Sequence, residues 1–243
     1  NNPQQMVSSA TELYGAFTGG GIWKWDGSTW TQVTPNTPTS MVLEGGEIFL
    51  DHFDSYPLGT FPTSGGWILR YNGAGDAYQY IDNTHSLSGQ QSMHMVGSSC
   101  WSSAMYHPLN LSSQVTYEAK VFVDAIVSCG CTPSLAVVRL INPSLGEWGT
   151  AFGSVSFNCD GNIYAMQATD PTSNVLLMPY NAQQWYKIKL KVNLVTRTFD
   201  VYVNDVLKGS DFQILDSGSP TGIEVLADHG NDPTVWFDDI LVQ

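Results

Sequence analysis

The run Trp185-Tyr186-Lys187-Ile188-Lys189-Leu190-Lys191-Val192, followed by Thr198-Phe199-Asp200-Val201-Tyr202-Val203-Asn204-Asp205-Val206, decides the fold class. Apolar residues alternate with polar ones at a period of two in both segments. That period places all the apolar side chains of an extended strand on one face. Asn204-Asp205 supplies two residues that tolerate the left-handed backbone of a tight hairpin turn. Two half-buried antiparallel strands follow from this reading.

The same pattern recurs outward in both directions. Val115–Val123, Leu135–Ile141, Gly153–Phe157 and Thr234–Val242 all read as strands separated by turn residues. No segment shows the 3.6-residue period of an amphipathic helix; at most a short helical turn is expected near Asp211–Leu215. Composition agrees with an all-β chain. Among 243 residues there are 23 Gly, 12 Pro and 29 aromatics (8 Trp, 11 Tyr, 10 Phe). Tight turns need the first two, and pleated strands favour the third.

Charge narrows the partners. Nine Lys+Arg stand against 22 Asp+Glu, for a net charge of -13. Nucleic acid and anionic membrane surfaces are excluded, because both require clustered cations. Membrane insertion by a helix is excluded too, since no apolar run reaches about 18 residues. Acidic polysaccharides are disfavoured overall, although a local basic site can still hold one.

Few lysines and four cysteines point to a secreted or cell-surface protein. The chain opens on Asn1-Asn2-Pro3, with no initiator Met or leader, and reads as a mature or truncated form. Cys129 and Cys131 are too close in sequence to bond to each other without strain. Each is expected to pair with Cys100 or Cys159, in an order the sequence leaves open. Asn110-Leu111-Ser112 is a glycosylation sequon by pattern alone.

An internal repeat lies at the N-terminus. Met6-Val7 and Glu12-Leu13-Tyr14 recur 35 residues later as Met41-Val42 and Glu47-Ile48-Phe49. Between them, Gly21–Val33 reads as a hairpin turning at Asp26-Gly27. This stretch resembles one unit of the propeller-like tandem β repeats of bacterial surface proteins. The expected organisation is a β-repeat appendage over 1–47 and a second domain over 48–243. A lone unit of this kind exposes unpaired edges, so self-association through it is an expected alternative role.

The hairpin at Trp185–Val206, the opening Asp51-His52-Phe53-Asp54 and the closing Trp236-Phe237-Asp238-Asp239-Ile240 resemble concanavalin A-like and laminin G-like jelly rolls over roughly residues 48–243. The resemblance implies an antiparallel jelly-roll β-sandwich. It does not fix an activity, because this fold hosts lectins, hydrolases, lyases and adhesion modules.

A jelly roll pairs its first and last strands. Asp51 and Asp54 should therefore approach Asp238 and Asp239, a carboxylate set suited to a structural Ca2+. The oxygen-rich run Asp228-His229-Gly230-Asn231-Asp232-Pro233 is a second possible metal loop, but it lacks the D-x-D-x-D-G pattern and is read as a polar surface turn. Sugar binding needs aromatic faces and a few polar groups. Trp101, Trp148, Tyr80, Tyr106 and His94 are candidates, with Arg139 standing out as a charge in an apolar strand. Arg139 is read either as a ligand contact or as half of an internal ion pair. The glucanase Glu-x-Asp-x-Glu strand and the lyase Gln-Ile/Val-His strand are absent. Extracellular, non-catalytic carbohydrate binding to a polysaccharide or glycan is the expected function. A structural fibre subunit and a polysaccharide-cleaving enzyme are the alternatives.

Overall fold

The computed structural model describes residues 5–8, 13–17, 21–25, 28–34, 49–146, 149–169 and 173–243. It divides into two compact units, residues 1–50 with 242–243 and residues 51–241. In the smaller unit β1 (Gln5–Ser8), β2 (Leu13–Phe17), β3 (Gly21–Trp25) and β4 (Trp30–Thr34) form a four-stranded sheet in sequential order. The expected hairpin is β3–β4, with Trp25 opposite Trp30. Most of the second repeat copy lies outside the described residues.

The larger unit is a two-sheet antiparallel sandwich. Its strands are β5 (Phe49–Asp51), β6 (Ile68–Asn72), β7 (Gln79–Asp82), β8 (Ser92–Val96), β9 (Ser103–Pro108), β10 (Gln114–Val123), β11 (Ser134–Asn142) and β12 (Thr150–Asn158). They continue with β13 (Asn162–Met166), β14 (Asn174–Pro179), β15 (Trp185–Asn193), β16 (Thr198–Val203), β17 (Val206–Gln213), β18 (Gly222–Ala227) and β19 (Thr234–Val242). One sheet runs β17-β16-β15-β10-β19-β8-β7, with β5 joined to β19; the other runs β14-β13-β12-β11-β18-β9-β6. Neighbours distant in sequence, such as β10 beside β19 and β11 beside β18, give the jelly-roll crossovers.

Alternation fixes which residues fill the space between the sheets. On β15, Tyr186, Ile188, Leu190 and Val192 are buried while Lys187, Lys189 and Lys191 point away. Tyr117, Phe157, Phe199 and Phe237 are among the largest fully buried side chains. A Cβ on Gly153 of β12 would lie 3.2 Å from Val192 and 3.4 Å from Phe199, on the opposite sheet. Position 153 therefore faces the inter-sheet core, and Ser154 and Ser156 face outward.

The β16–β17 turn has Asn204 and Asp205 both at positive φ, 51° and 63°, as the tight-turn reading requires. The helical turn expected near Asp211–Leu215 is not formed. Asp211 adopts φ 57° inside β17, and its N–H donates to the Asp200 carboxylate across the hairpin. Cross-strand bonding there wins over a local helical turn.

The cysteines pair as Cys100–Cys131 and Cys129–Cys159, with Cα–Cα distances of 4.9 and 5.3 Å. Each closes a loop of about 30 residues. In the chain-entropy model that is about 3–4 kcal/mol of stabilisation per bridge.

Candidate functional site

A cavity of about 200 Å³ opens on the outer face of the seven-stranded sheet. Strand register builds it in rows. Tyr71, Ala104, Leu226 and Val137 face one another across β6, β9, β18 and β11, forming an apolar floor. Two residues along the strands, Tyr106, Glu224, Arg139 and Ser154 form the next row. Two residues the other way, the floor gives onto Ser102, Thr132, Ser134, Asp228 and His229. At about 3.3 Å per residue, Glu224 and Asp228 are about 13 Å apart along the chain.

The charged row is an ion triad. Glu224 is fully buried. One carboxylate oxygen accepts from Arg70 Nη1 and the other from Arg139 Nε at 2.6 Å and Arg139 Nη2. Arg70 reaches across because β6 carries a register shift between Leu69 and Tyr71; a bulge re-aims the extra side chain. Arg139 is 9% exposed and lines the cavity. Its Nη1 makes no hydrogen bond among the described residues, so one guanidinium edge faces the cavity. Tyr117 lies beneath this row, its hydroxyl donating to the Glu224 carbonyl at 3.4 Å. Burial, reinforced by the Glu224 carboxylate, raises the Tyr117 phenol well above its ordinary value.

The opposite end is negative. Asp228 is buried and accepts from Ser102 Oγ at 2.6 Å and Thr132 Oγ1 at 3.2 Å. Ser102 Oγ lies 3.2 Å from His229 Nε2, and His229 Nδ1 lies 3.4 Å from Asp228 Oδ1. These are the residue types of a hydrolytic triad, in a different arrangement. A nucleophilic serine hands its proton to histidine. Here the Ser102 hydroxyl proton goes to Asp228, and the same carboxylate oxygen touches both serine and histidine.

The expected sugar contacts divide between the two sheets. Arg139 is in the cavity, as both an ion-pair member and a lining residue. Trp101, 41% exposed, does not line the cavity; it stands edge-on to the lining residue Tyr71 at 5.6 Å and donates through Nε1 to Asn72 Oδ1. Tyr106 sits in the charged row, with its hydroxyl bonded to the Thr221 carbonyl at 2.7 Å. Trp148 lies outside the described residues. Tyr80 and His94 belong to the other sheet, because β7 and β8 pair onto β19. There Tyr80, His94 and Trp236 form a row, with ring centroids 4.5 and 4.9 Å apart. Burial lowers the His94 pKa, against the pull of the Asp82 charge. Burial also raises the Tyr80 phenol, with the Asp82 charge adding to it.

The acidic seam converges on the 87–91 loop. Asp238 accepts from the Leu87 and Ser88 amides at 2.9 and 3.1 Å, and Asp54 from those of Gln90 and Gln91 at 2.7 and 3.1 Å. Asp239 holds His52 at 2.6 Å. Asp51 accepts from the Phe53 amide, the Tyr56 hydroxyl and Trp67 Nε1. Burial pushes the Asp238 carboxyl up to about 6, although the two loop amides act to lower it. Among the described residues, no group of three or more His, Cys, Asp or Glu is placed to hold a metal.

The sequence marks neither Glu224 nor Arg70 as a site residue, and it marks Asp228 and His229 only as part of a polar run. Glu224 carries the same signal that marked Arg139, a single charge within an apolar strand. The 228–232 run is a turn with Asn231 and Asp232 exposed, and its first two residues, Asp228 and His229, also line the cavity.

Comparison with known proteins agrees with this architecture. A family model described as a sialidase-like CBM domain matches residues 143–216. That span includes the cavity residues Met166 and Thr169 but not Arg139, Glu224 or Asp228. No curated protein matches the sequence. Among solved structures, the cellulose induced protein Cip1 is similar at TM-score 0.58 and 16% identity, over 80% of this chain and 96% of that one. The catalytic domain of a glycoside hydrolase family 131 protein from Coprinopsis cinerea gives TM-score 0.55 at 11% identity, over 81% and 94%. A sialidase gives TM-score 0.54 at 11% identity over 74% of this chain, which spans only 17% of that enzyme. At these identities the shared property is the jelly-roll fold.

Proposed function

We propose that this protein is a carbohydrate-binding module that holds one sugar residue of a glycan in the cavity on the seven-stranded sheet. The observation that carries this reading is the order of the rows: an apolar floor flanked by a guanidinium edge on one side and hydroxyl and carboxylate groups on the other. A sugar ring has the matching character, with C–H patches on its faces and hydroxyls around its rim. Leu226 and Val137 take the face. Arg139 Nη1 donates to a hydroxyl or carboxylate, and Asp228 accepts from hydroxyls. Tyr71 supplies the aromatic edge, with Trp101 packed against it. The family match to a sialidase-like CBM domain supports the same function. Two disulfides support a secreted, oxidising setting.

The site favours binding over cleavage. A retaining glycosidase needs two carboxyl groups about 5 Å apart, one of them free to donate a proton. Glu224 is instead fully buried and committed to two guanidiniums.

The test is an array of neutral and acidic oligosaccharides probed with the wild type and Arg139→Met. Arg139→Met leaves Arg70 to balance Glu224, so the fold is kept. Loss of glycan retention in a variant that melts within a few degrees of wild type supports the site. Undiminished retention moves the site elsewhere. Release of new reducing ends by the wild type would overturn the non-catalytic reading.

A further inference from the structure

The negative end of the cavity is assembled from three segments, and two disulfides anchor one of them, the 125–133 loop. Cys100–Cys131 joins the turn between β8 and β9 to the 125–133 loop, and Cys129–Cys159 joins that loop to the turn between β12 and β13. The residues next to these cysteines are the cavity's own. Ser102 lies two residues after Cys100, and Thr132 follows Cys131. The loop also backs the 228–232 segment. A Cβ on Gly130 would come within 1.7 Å of the His229 carbonyl oxygen, and the Asn231 amide donates to the Ser128 carbonyl at 3.0 Å.

Little else holds the loop. Its ends are fixed, by Asp124 N–H to the Thr234 carbonyl and Cys159 N–H to the Pro133 carbonyl. Between them, the described hydrogen bonds to the rest of the unit are Asn231 to Ser128 and Thr132 to Asp228. Ala125, Ile126, Ser128, Cys129 and Cys131 are exposed, so the loop buries little apolar surface of its own. Segments with few buried contacts open at low free-energy cost once a covalent tie is removed. The strands beneath are different: β11 and β18 are buried along nearly their whole length and paired on both edges.

We propose that the paired disulfides are a redox latch on the glycan site: reduction frees the 125–133 loop and dissolves the cavity's negative end while both sheets stay folded. Cys100, Cys129 and Cys131 are exposed, so an external thiolate can reach a sulfur of each bridge. The step is thiol–disulfide exchange. A dithiol attacks one sulfur, forms a mixed disulfide, and closes on itself to release the second cysteine. Each bridge gains two electrons and two protons, and each dithiol is oxidised to its cyclic disulfide. Thr132 then leaves Asp228, and the 229–232 segment loses its support.

The latch rests on the glycan-binding reading for its consequence, and its structural part is measured without any ligand. Backbone amide exchange is followed by mass spectrometry on the full chain, oxidised, and again after dithiothreitol reduction with thiols blocked by iodoacetamide. The double variants Cys100→Ser/Cys131→Ser and Cys129→Ser/Cys159→Ser repeat the measurement without reductant. Exchange is expected to rise at least tenfold over 126–132 and 229–232 while β11 and β18 keep their protection. Retention on the oligosaccharide array is expected to fall at least tenfold in the same samples. Unchanged protection of 126–132 with both bridges open overturns the latch. Parallel loss of protection in β11 and β18 overturns it as well, because the bridges would then be staples of the sandwich. Failure of the oxidised protein to retain any glycan, with the loop still opening on reduction, sinks the glycan reading and leaves the latch standing.

Discussion

Replacing Glu224 by Gln tests the charged row most directly, because the change is nearly isosteric and removes only the charge. In the wild type one buried carboxylate serves two guanidiniums, whose side chains are 11% (Arg70) and 10% (Arg139) exposed. In Glu224→Gln the side-chain NH2 must face one of these cations, and both guanidiniums lose the carboxylate they share. Removing one partner of a buried ion pair costs about 3–5 kcal/mol. The small solvent access of both arginines places the loss near the lower figure, about 3 kcal/mol. For a unit of this size each kcal/mol shifts Tm by about 2–4 °C, so a drop of about 6–12 °C is expected at pH 7. The assay is thermal unfolding followed by circular dichroism, with Arg70→Met as the companion. That variant leaves one guanidinium on one carboxylate and should cost clearly less. Two results would refute the reasoning: Glu224→Gln melting within 2 °C of wild type, or Arg70→Met melting below Glu224→Gln. Either would mean that water, not Glu224, neutralises the two arginines.

Three further outcomes follow from the same structure. Asp51→Ala removes the acceptor of Trp67 Nε1, and Trp67 is 1% exposed; an unpaired buried donor costs about 1–3 kcal/mol, measured as a shifted urea midpoint with an unchanged m-value. The depressed pKa of buried His94 means that the unfolded chain takes up the proton first. Stability from this group is therefore present above about pH 6.5 and lost as pH falls toward the folded-state value. The difference in Tm between wild type and His94→Phe should shrink or reverse from pH 7 to pH 5, and a pH-independent difference would refute the assignment. Leu226→Ala removes part of the cavity floor; it is expected to cost about 2–5 kcal/mol and to abolish glycan retention, read by thermal melts and the oligosaccharide array.

The strands were readable because their information is local. Period-two alternation and a turn pair at Asn204-Asp205 are enough to place β15 and β16, since every inward side chain must be apolar whatever lies opposite. The cavity is a different kind of object. Arg139 was conspicuous, as a lone cation in an apolar strand must find a partner. Its partner is 85 residues away, fixed by the register of β11 against β18. Arg70 enters through a bulge, and a bulge exists only relative to a neighbouring strand. Tyr80 and His94 show why composition could not assign the face. Their strands alternate as those around Trp101 do, and which sheet they join is settled by pairing with β19 at the far end of the chain.

Asp228-His229-Gly230-Asn231-Asp232 exposes the same limit from the other side. By residue type it is a turn, and a turn belongs at the surface unless something is laid over it. What is laid over it is the 125–133 loop, and that loop is there because Cys129 and Cys131 send it in two directions, to Cys159 and to Cys100. A two-way tether from adjacent positions does more than a single bridge: it fixes the orientation of the intervening Gly130, which packs on the His229 backbone where no side chain would fit. Burial of Asp228, and with it the polarity of the whole cavity, thus depends on covalent topology that alternation cannot encode. If that dependence is real, Gly130→Ala should disturb the cavity with both disulfides intact. The added methyl has no room beneath the His229 carbonyl, so the 228–232 segment must shift. Glycan retention should then fall while Tm, set by the two sheets, moves by only a few degrees. Full retention in Gly130→Ala would mean that the segment holds its place without the loop.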